Sequence, residues 1–135
     1  MIRVGVIRGG ISDEFEISIK TGGNVLKLLP TDKYKGVDIL ITRDGTWHVG
    51  GIPKKLDELD LHIDVVFNAL HGEYGEDGKV SRVLEEAGIS YTGSEAIPSS
   101  LASNKSLTKE TLRRAGIKTP PGMFIEDYRD RVNEG

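Results

Sequence analysis

Two short stretches of this chain gather side chains able to recognise a small polar ligand. The first is Glu14, just past the pair Gly9-Gly10; the second is the loop LHGEYGEDG, which holds His71, Glu73, Glu76 and Asp77. A carboxylate at the opening turn of a helix is kept ionised by free N–H groups and the helix dipole, and an ionised carboxylate can hold an ammonium group. The same stretches contain no thiol, no HExxH and no serine set in a nucleophile elbow, so they suit the binding of a small amine better than covalent catalysis. Plainer readings exist for each residue taken alone. Glu14 fits an acid that only serves the helix dipole, and His71 fits a loop histidine bonded to backbone. Glu73, Asp77 and Lys79 fit solvated loop charge, and Gly72, Gly75 and Gly78 fit turns needing positive φ.

These residues need elements to position them. Ile2 to Ile7 is a β-branched apolar run stopped by glycine, the pattern of a strand buried on both faces. Ser12 or Asp13 offers an N-cap, and Phe15, Ile19, Leu26 and Leu29 recur at near-helical spacing, predicting a helix from about Asp13 to Leu28. Gly22 and Gly23 inside it cost roughly 1 kcal/mol each against alanine, which implies close packing against a neighbouring backbone that the sequence does not name. Val37, Ile39 and Ile41 alternate, Asp44-Gly45 is a turn signal, and Thr46 to Val49 returns as a hairpin partner in which Trp47 and His48 read as surface or edge packing. Gly50 to Leu61 is a polar connector with room for one short helix. Val65 to Ala69 predicts a second buried strand, followed by a helix carrying Val80, Val83, Leu84 and Ala87 and closed by Gly88. Ser90 to Thr92 is a brief strand. A helical stretch from about Ile97 to Ala115, broken near Ser103-Asn104, ends at Gly116, and the tail after Pro120-Pro121 starts like the first element of a further domain. The fold class is therefore α/β: an open, mainly parallel sheet with helices on both faces, plus one β-hairpin. In such a sheet the loops after parallel strands share the crevice at the carboxyl ends, where ligands bind.

The whole chain limits the partners. At 135 residues it is the size of one ordinary domain. Its 21 acidic and 18 basic side chains are mixed along the sequence, leaving no basic stripe to follow a phosphate backbone, so nucleic acid is not an expected partner. Zero cysteines exclude disulfides and fit a cytoplasmic protein. The opening MIRVGVI is too short for a signal peptide and no run approaches a membrane span, so no membrane partner is expected. Neither G-x-G-x-x-G nor a P-loop occurs, so a dinucleotide or P-loop site lacks its fingerprint.

At the two loops the sequence resembles a known family. VGVIRGGISDEFEIS is similar to the opening strand, Gly-Gly pair and helix start of the D-alanine-D-alanine ligases, and VFNALHGEYGEDG resembles their histidine-glycine and Gly-Glu-Asp-Gly loop. LEEAGISYTGSEAIPSSLASNKSLTKETLRRAGIKTPP resembles their Tyr-Thr-Gly-Ser turn, small-residue helix and the lysine-bearing helix that leads into an ATP-grasp domain. The motif strings leave out about Thr31 to Leu61. Arg8, Phe15 and Asn104 depart from the family's usual residues.

The resemblance implies a pre-ATP-grasp, Rossmann-like fold and the amino-terminal part of an ATP-dependent ligase of peptidoglycan precursor synthesis. It implies a substrate-binding domain over 1–95, a helical linker over 96–117 and the start of a truncated ATP-grasp domain over 118–135. Glu14 matches the catalytic glutamate that contacts the amino group of the first D-alanine; Ser18, His71 and Glu76 match other residues of that pocket. Lys105 matches the lysine that approaches ATP. The family uses ATP and Mg²⁺: one D-alanine carboxylate is phosphorylated and the amine of a second attacks the acyl phosphate, with no protein nucleophile. The main ATP and Mg²⁺ sites are expected outside this chain, which supplies no metal ligand and is expected to be inactive alone. A homodimer through the amino-terminal domain is also implied. Two other readings stand beside this one: a catalytically silent amino-acid-binding or assembly module of the same fold, and an unrelated flavodoxin-like regulatory or nucleotide-binding domain.

Overall fold

The computed structural model describes residues 1–55, 58 and 63–123. Among these, a six-stranded sheet is built from β1 (Ile2–Gly9), β2 (Tyr34–Ile41), β3 (Trp47–Val49), β4 (Ile52–Pro53), β5 (Val65–Asn68) and β6 (Ser90–Tyr91), in the order β4-β3-β2-β1-β5-β6. The pairs β1–β2, β1–β5 and β5–β6 are parallel, whereas β3 and β4 extend the sheet as antiparallel strands. The expected mainly parallel α/β sheet with one hairpin is what the chain forms. The described start of the connector after Gly50 adds the short β4; the short helix allowed for there would fall largely on residues outside the described set.

Side-chain alternation on β1 divides the core. Val4 and Val6 face α1 (Phe15–Leu28), whose Val25 and Leu26 cover them together with Leu29 and Ala69. Ile7 faces the other way, into a larger cluster with Ile39, Ile41, Val66 and Leu70, covered by Val80 and Leu84 of α2 (Lys79–Glu86). Helices thus seal both faces, as strands apolar on both sides require. Trp47 is a correction to the sequence reading: it is 6% exposed and belongs to the larger cluster rather than to an edge.

The neighbour that Gly22 and Gly23 needed is a side chain, not a backbone. Arg8, on the α1 face of β1, lies so close to α1 that a Cβ on Gly22 would stand 2.6 Å from the Arg8 Cβ. The Arg8 guanidinium continues past the helix to a two-point pair with Asp38 of β2, both bonds 2.7 Å. These bonds hold the Arg8 guanidinium pKa above its usual value, against partial burial.

The chain divides into two compact units, residues 1–103 and 104–135. The first therefore includes α3 (Ala96–Ser103). The second begins at Asn104, which leaves helical geometry (φ −93°, ψ 97°) and caps α4 (Lys105–Arg114) by accepting from the Leu107 N–H at 3.0 Å. That cap is the physical cause of the break near Ser103-Asn104. No helix among the described residues is long and apolar enough to cross a membrane.

Candidate functional site

The loops after β1 and β5 lie side by side because their strands pair in parallel, Ile7 opposite Asn68, with the Ala69 N–H donating to the Ile7 carbonyl at 2.9 Å. Ser12 bridges them: its hydroxyl donates to the His71 carbonyl at 2.7 Å and accepts from the Glu14 N–H at 3.2 Å. Ser12 is therefore not the N-cap. Glu14 holds that position, and its side chain makes no capping bond.

With its carboxylate not spent on the cap, Glu14 points toward the second loop. A Cβ on Gly72 would lie 3.3 Å from Glu14 Oε2 and 3.3 Å from Ser12 Oγ, so glycine at 72, with φ 70°, lets this carboxylate sit against the loop backbone. Among the described residues no cation pairs with Glu14. His71, half-buried, brings its Nε2 to 3.0 Å from the Thr21 hydroxyl, and its Nδ1 lies 3.8 Å from Glu76 Oε1. Glu14, His71 and Glu76 thus meet around one junction of α1 with the loop after β5.

The loop itself is tied internally. Asn68 accepts from the Leu70 N–H at 3.1 Å and donates to the Gly75 carbonyl at 3.0 Å. Gly72 and Gly78 have the positive φ expected of them, but Gly75 does not; the third left-handed residue is Tyr74, at φ 72°. Gly75 is instead required by space, because a Cβ there would collide with Leu70. Burial pushes the Tyr74 hydroxyl pKa up. Lys79 pairs with Asp77 at 3.0 Å and Glu73 at 3.3 Å, and both bonds raise its pKa. These three charges satisfy one another.

Ser18 is placed differently from its expected role. It is fully buried; its hydroxyl accepts from the Gly9 N–H and donates to the Ala69 carbonyl, both at 2.8 Å. With its one proton committed and no solvent access, its hydroxyl ties the ends of β1 and β5 together. Lys105 belongs to the second unit, where it lines a recess of about 470 Å³ with Lys109 and Arg113, and with Glu110 as the opposing charge. Three cations on successive turns suit an anionic ligand, without the backbone cradle of a phosphate loop. Among the described residues no three His, Cys, Asp or Glu side chains are grouped to hold a metal.

Sequence reasoning did not single out Thr21, and it named Ser12 only as a candidate helix N-cap. A signal was present: Glu14, Ser18 and Thr21 recur at four and then three positions, the spacing of one helix face.

Comparison with known proteins adds a second line of observation. The family model described as the D-ala D-ala ligase N-terminus matches residues 3–60 and 50–94. The match runs through the stretch from 31 to 60, which carried no motif. The D-alanine--D-alanine ligase of Geobacter sulfurreducens is 42% identical over 135 residues, an alignment covering 98% of this chain and 40% of that protein. That of Pelotomaculum thermopropionicum is 40% identical over 125 residues, covering 93% and 36%. The crystal structure of the Bacillus anthracis D-alanine--D-alanine ligase complexed with ATP superimposes with a TM-score of 0.74 at 34% identity, covering 98% of this chain and 45% of that one. The chain spans less than half the length of these relatives.

Proposed function

Since the chain belongs to the D-alanine-D-alanine ligase family and corresponds to its amino-terminal part, we propose that it contributes the first D-alanine pocket of an ATP-dependent ligase in peptidoglycan precursor synthesis. The observation that carries this reading is the Glu14 carboxylate, unpaired by any cation among the described residues and set against Gly72 beside His71. A D-alanine zwitterion brings an ammonium group to Glu14, while His71 and Glu76 bound the pocket on the loop side. Ser18 acts at one remove, by holding Gly9 and Ala69 in place.

Catalysis of acyl transfer without a protein nucleophile depends on orientation and on stabilising developing negative charge. In this reading the described residues supply orientation: Glu14 fixes the amino end of the amino acid and thereby the direction of its carboxylate. Bound ATP with Mg²⁺ supplies the phosphoryl group that activates a carboxylate. Lys105, with Lys109 and Arg113 beside it, is the candidate for contact with the nucleotide's phosphates, and metal ligands are sought outside the described residues. Residues 1–95 then form the substrate domain, 96–117 the linker and 118–135 the opening of an ATP-grasp domain, in a protein working in the cytoplasm. Pairing of two copies through the first unit is part of the same proposal. Ile17 and Leu28, three turns apart on α1, support it by leaving apolar surface exposed on one side of the helix; light scattering showing only monomer at high concentration would remove it.

The test is a D-alanine titration followed by NMR on this chain and on Glu14→Gln. The charge-assisted contact is lost at constant volume, so the apparent Kd should rise at least about tenfold, a charged bond being worth ~1.5–3 kcal/mol. Superimposable titrations would reject Glu14 as the anchor.

A further inference from the structure

His71 is held at two points by α1 and the turn that precedes it. Ser12 takes its carbonyl at 2.7 Å, and Thr21 meets its ring at 3.0 Å. The second contact has a direction that can be deduced. A threonine hydroxyl carries one hydrogen and can accept through its lone pairs. Thr21 lies within α1, and its hydroxyl donates to the Ile17 carbonyl one turn back at 3.0 Å, the usual destination for a helical threonine hydroxyl. With that hydrogen committed, Thr21 Oγ1 can meet His71 Nε2 only as an acceptor, so Nε2 carries the proton.

We propose that Thr21 is a positioning residue that holds His71 as its Nε2–H tautomer and thereby makes Nδ1, with its lone pair, the nitrogen that faces the ligand. The opposite tautomer is poorly served here. It would place a hydrogen on Nδ1, whose nearest acid is Glu76 Oε1 at 3.8 Å, beyond hydrogen-bond range, and it would require Thr21 to abandon Ile17. In the chosen arrangement a relay runs from Nε2–H through the Thr21 hydroxyl to the backbone of α1. The ring is then anchored through Nε2, Nδ1 is left without a hydrogen-bond partner among the described residues, and the side chain as a whole is one-third exposed. The free nitrogen can accept from the ammonium of an amino acid whose charge Glu14 balances. This deepens the pocket reading above and rests on it only for the identity of the ligand.

Long-range ¹H–¹⁵N imidazole correlation on this chain at about pH 8.5, above the ordinary imidazole range, reads the tautomer directly. Substitution of His71 by Asn assigns its signals among the three histidines. The expected result is the Nε2–H pattern in the wild type and in Thr21→Ser, which keeps the hydroxyl, and averaged signals of both tautomers in Thr21→Val, which keeps the shape. An Nδ1–H pattern in the wild type would overturn the proposal even if Thr21→Val failed to fold, as would an unchanged Nε2–H pattern in a folded Thr21→Val. Adding D-alanine to the wild-type sample separates the two levels: the Nδ1 resonance should move. An Nε2–H tautomer whose Nδ1 ignores D-alanine would leave the Thr21 contact standing and overturn the role given to Nδ1, and with it the ligand reading.

Discussion

Ser18 donates its hydroxyl hydrogen to the Ala69 carbonyl across 2.8 Å, in a position with no solvent access. One hydroxyl thereby joins α1 to the end of β5, and through the Gly9 N–H it also joins the end of β1. Ser18→Ala should leave two buried backbone groups short of a partner, at about 1–3 kcal/mol for each unsatisfied group. Urea unfolding should show the midpoint falling with an unchanged slope. An unaltered midpoint would mean that the two loops are spaced by something else.

Gly22→Ala sets two effects of known size against each other. Alanine gains up to ~1 kcal/mol of helix propensity, but its Cβ would meet Arg8 Cβ at 2.6 Å, and overpacking of this kind costs ~1–3 kcal/mol. The Arg8 Cβ is fixed to a central strand and has no room to retreat, so the net effect should be a loss of about 1 kcal/mol. In a cycle with Arg8→Gly, which removes the opposing Cβ, the coupling should exceed ~0.5 kcal/mol; strict additivity would show that the helix simply shifts.

Asp64 gives the chain an acid limb. Bonds from the Arg3 side chain and then from the Arg3 N–H hold its carboxyl at a pKa of about 2. Because the folded value is depressed, the contribution is complete above the unfolded carboxylate range and is lost as pH falls from about 4 to about 2. Asp64→Asn should flatten stability against pH in that window alone. The pair is solvent-exposed, so the effect should shrink in high salt.

Phosphate release from ATP, Mg²⁺ and D-alanine should be absent with this chain alone and present when the sequence is extended to the length of its relatives. The recess beside Lys105 offers mobile point charges from one helix, whereas phosphoryl transfer needs a cradle, a metal and an oriented acceptor held together. Release by the short chain that survives repurification and vanishes in Glu14→Gln would place the nucleotide site within these residues.

The periodic features of the sequence were read correctly. Alternation at Val37, Ile39 and Ile41 with Asp44-Gly45 announced the hairpin, and Asn104 announced the helix break. What escaped were relationships between distant residues. Trp47 looked like an edge residue because a three-residue strand carries no period of its own, and its burial comes from the cluster around Ile41. The bonds of Ser18 to Gly9 and Ala69 were hidden because a motif records that a hydroxyl is needed without recording which way it points. The partner of Gly22 was hidden because Arg8, a charged residue on a central strand, is tolerated only through Asp38 thirty positions away. Glu14 and His71 were placed at one junction by strand order alone, but Thr21 becomes visible only when the ring of His71 is oriented.

The two outermost described strands, β4 and β6, are only two residues long, and β4 ends in Pro53, which has no N–H to give. A sheet bordered in this way offers an incoming chain almost no free ladder of donors and acceptors. Copies of this domain are thereby discouraged from joining edge to edge into growing ribbons. Any association between them is left to side-chain surfaces, where a contact can be closed and finite rather than propagated.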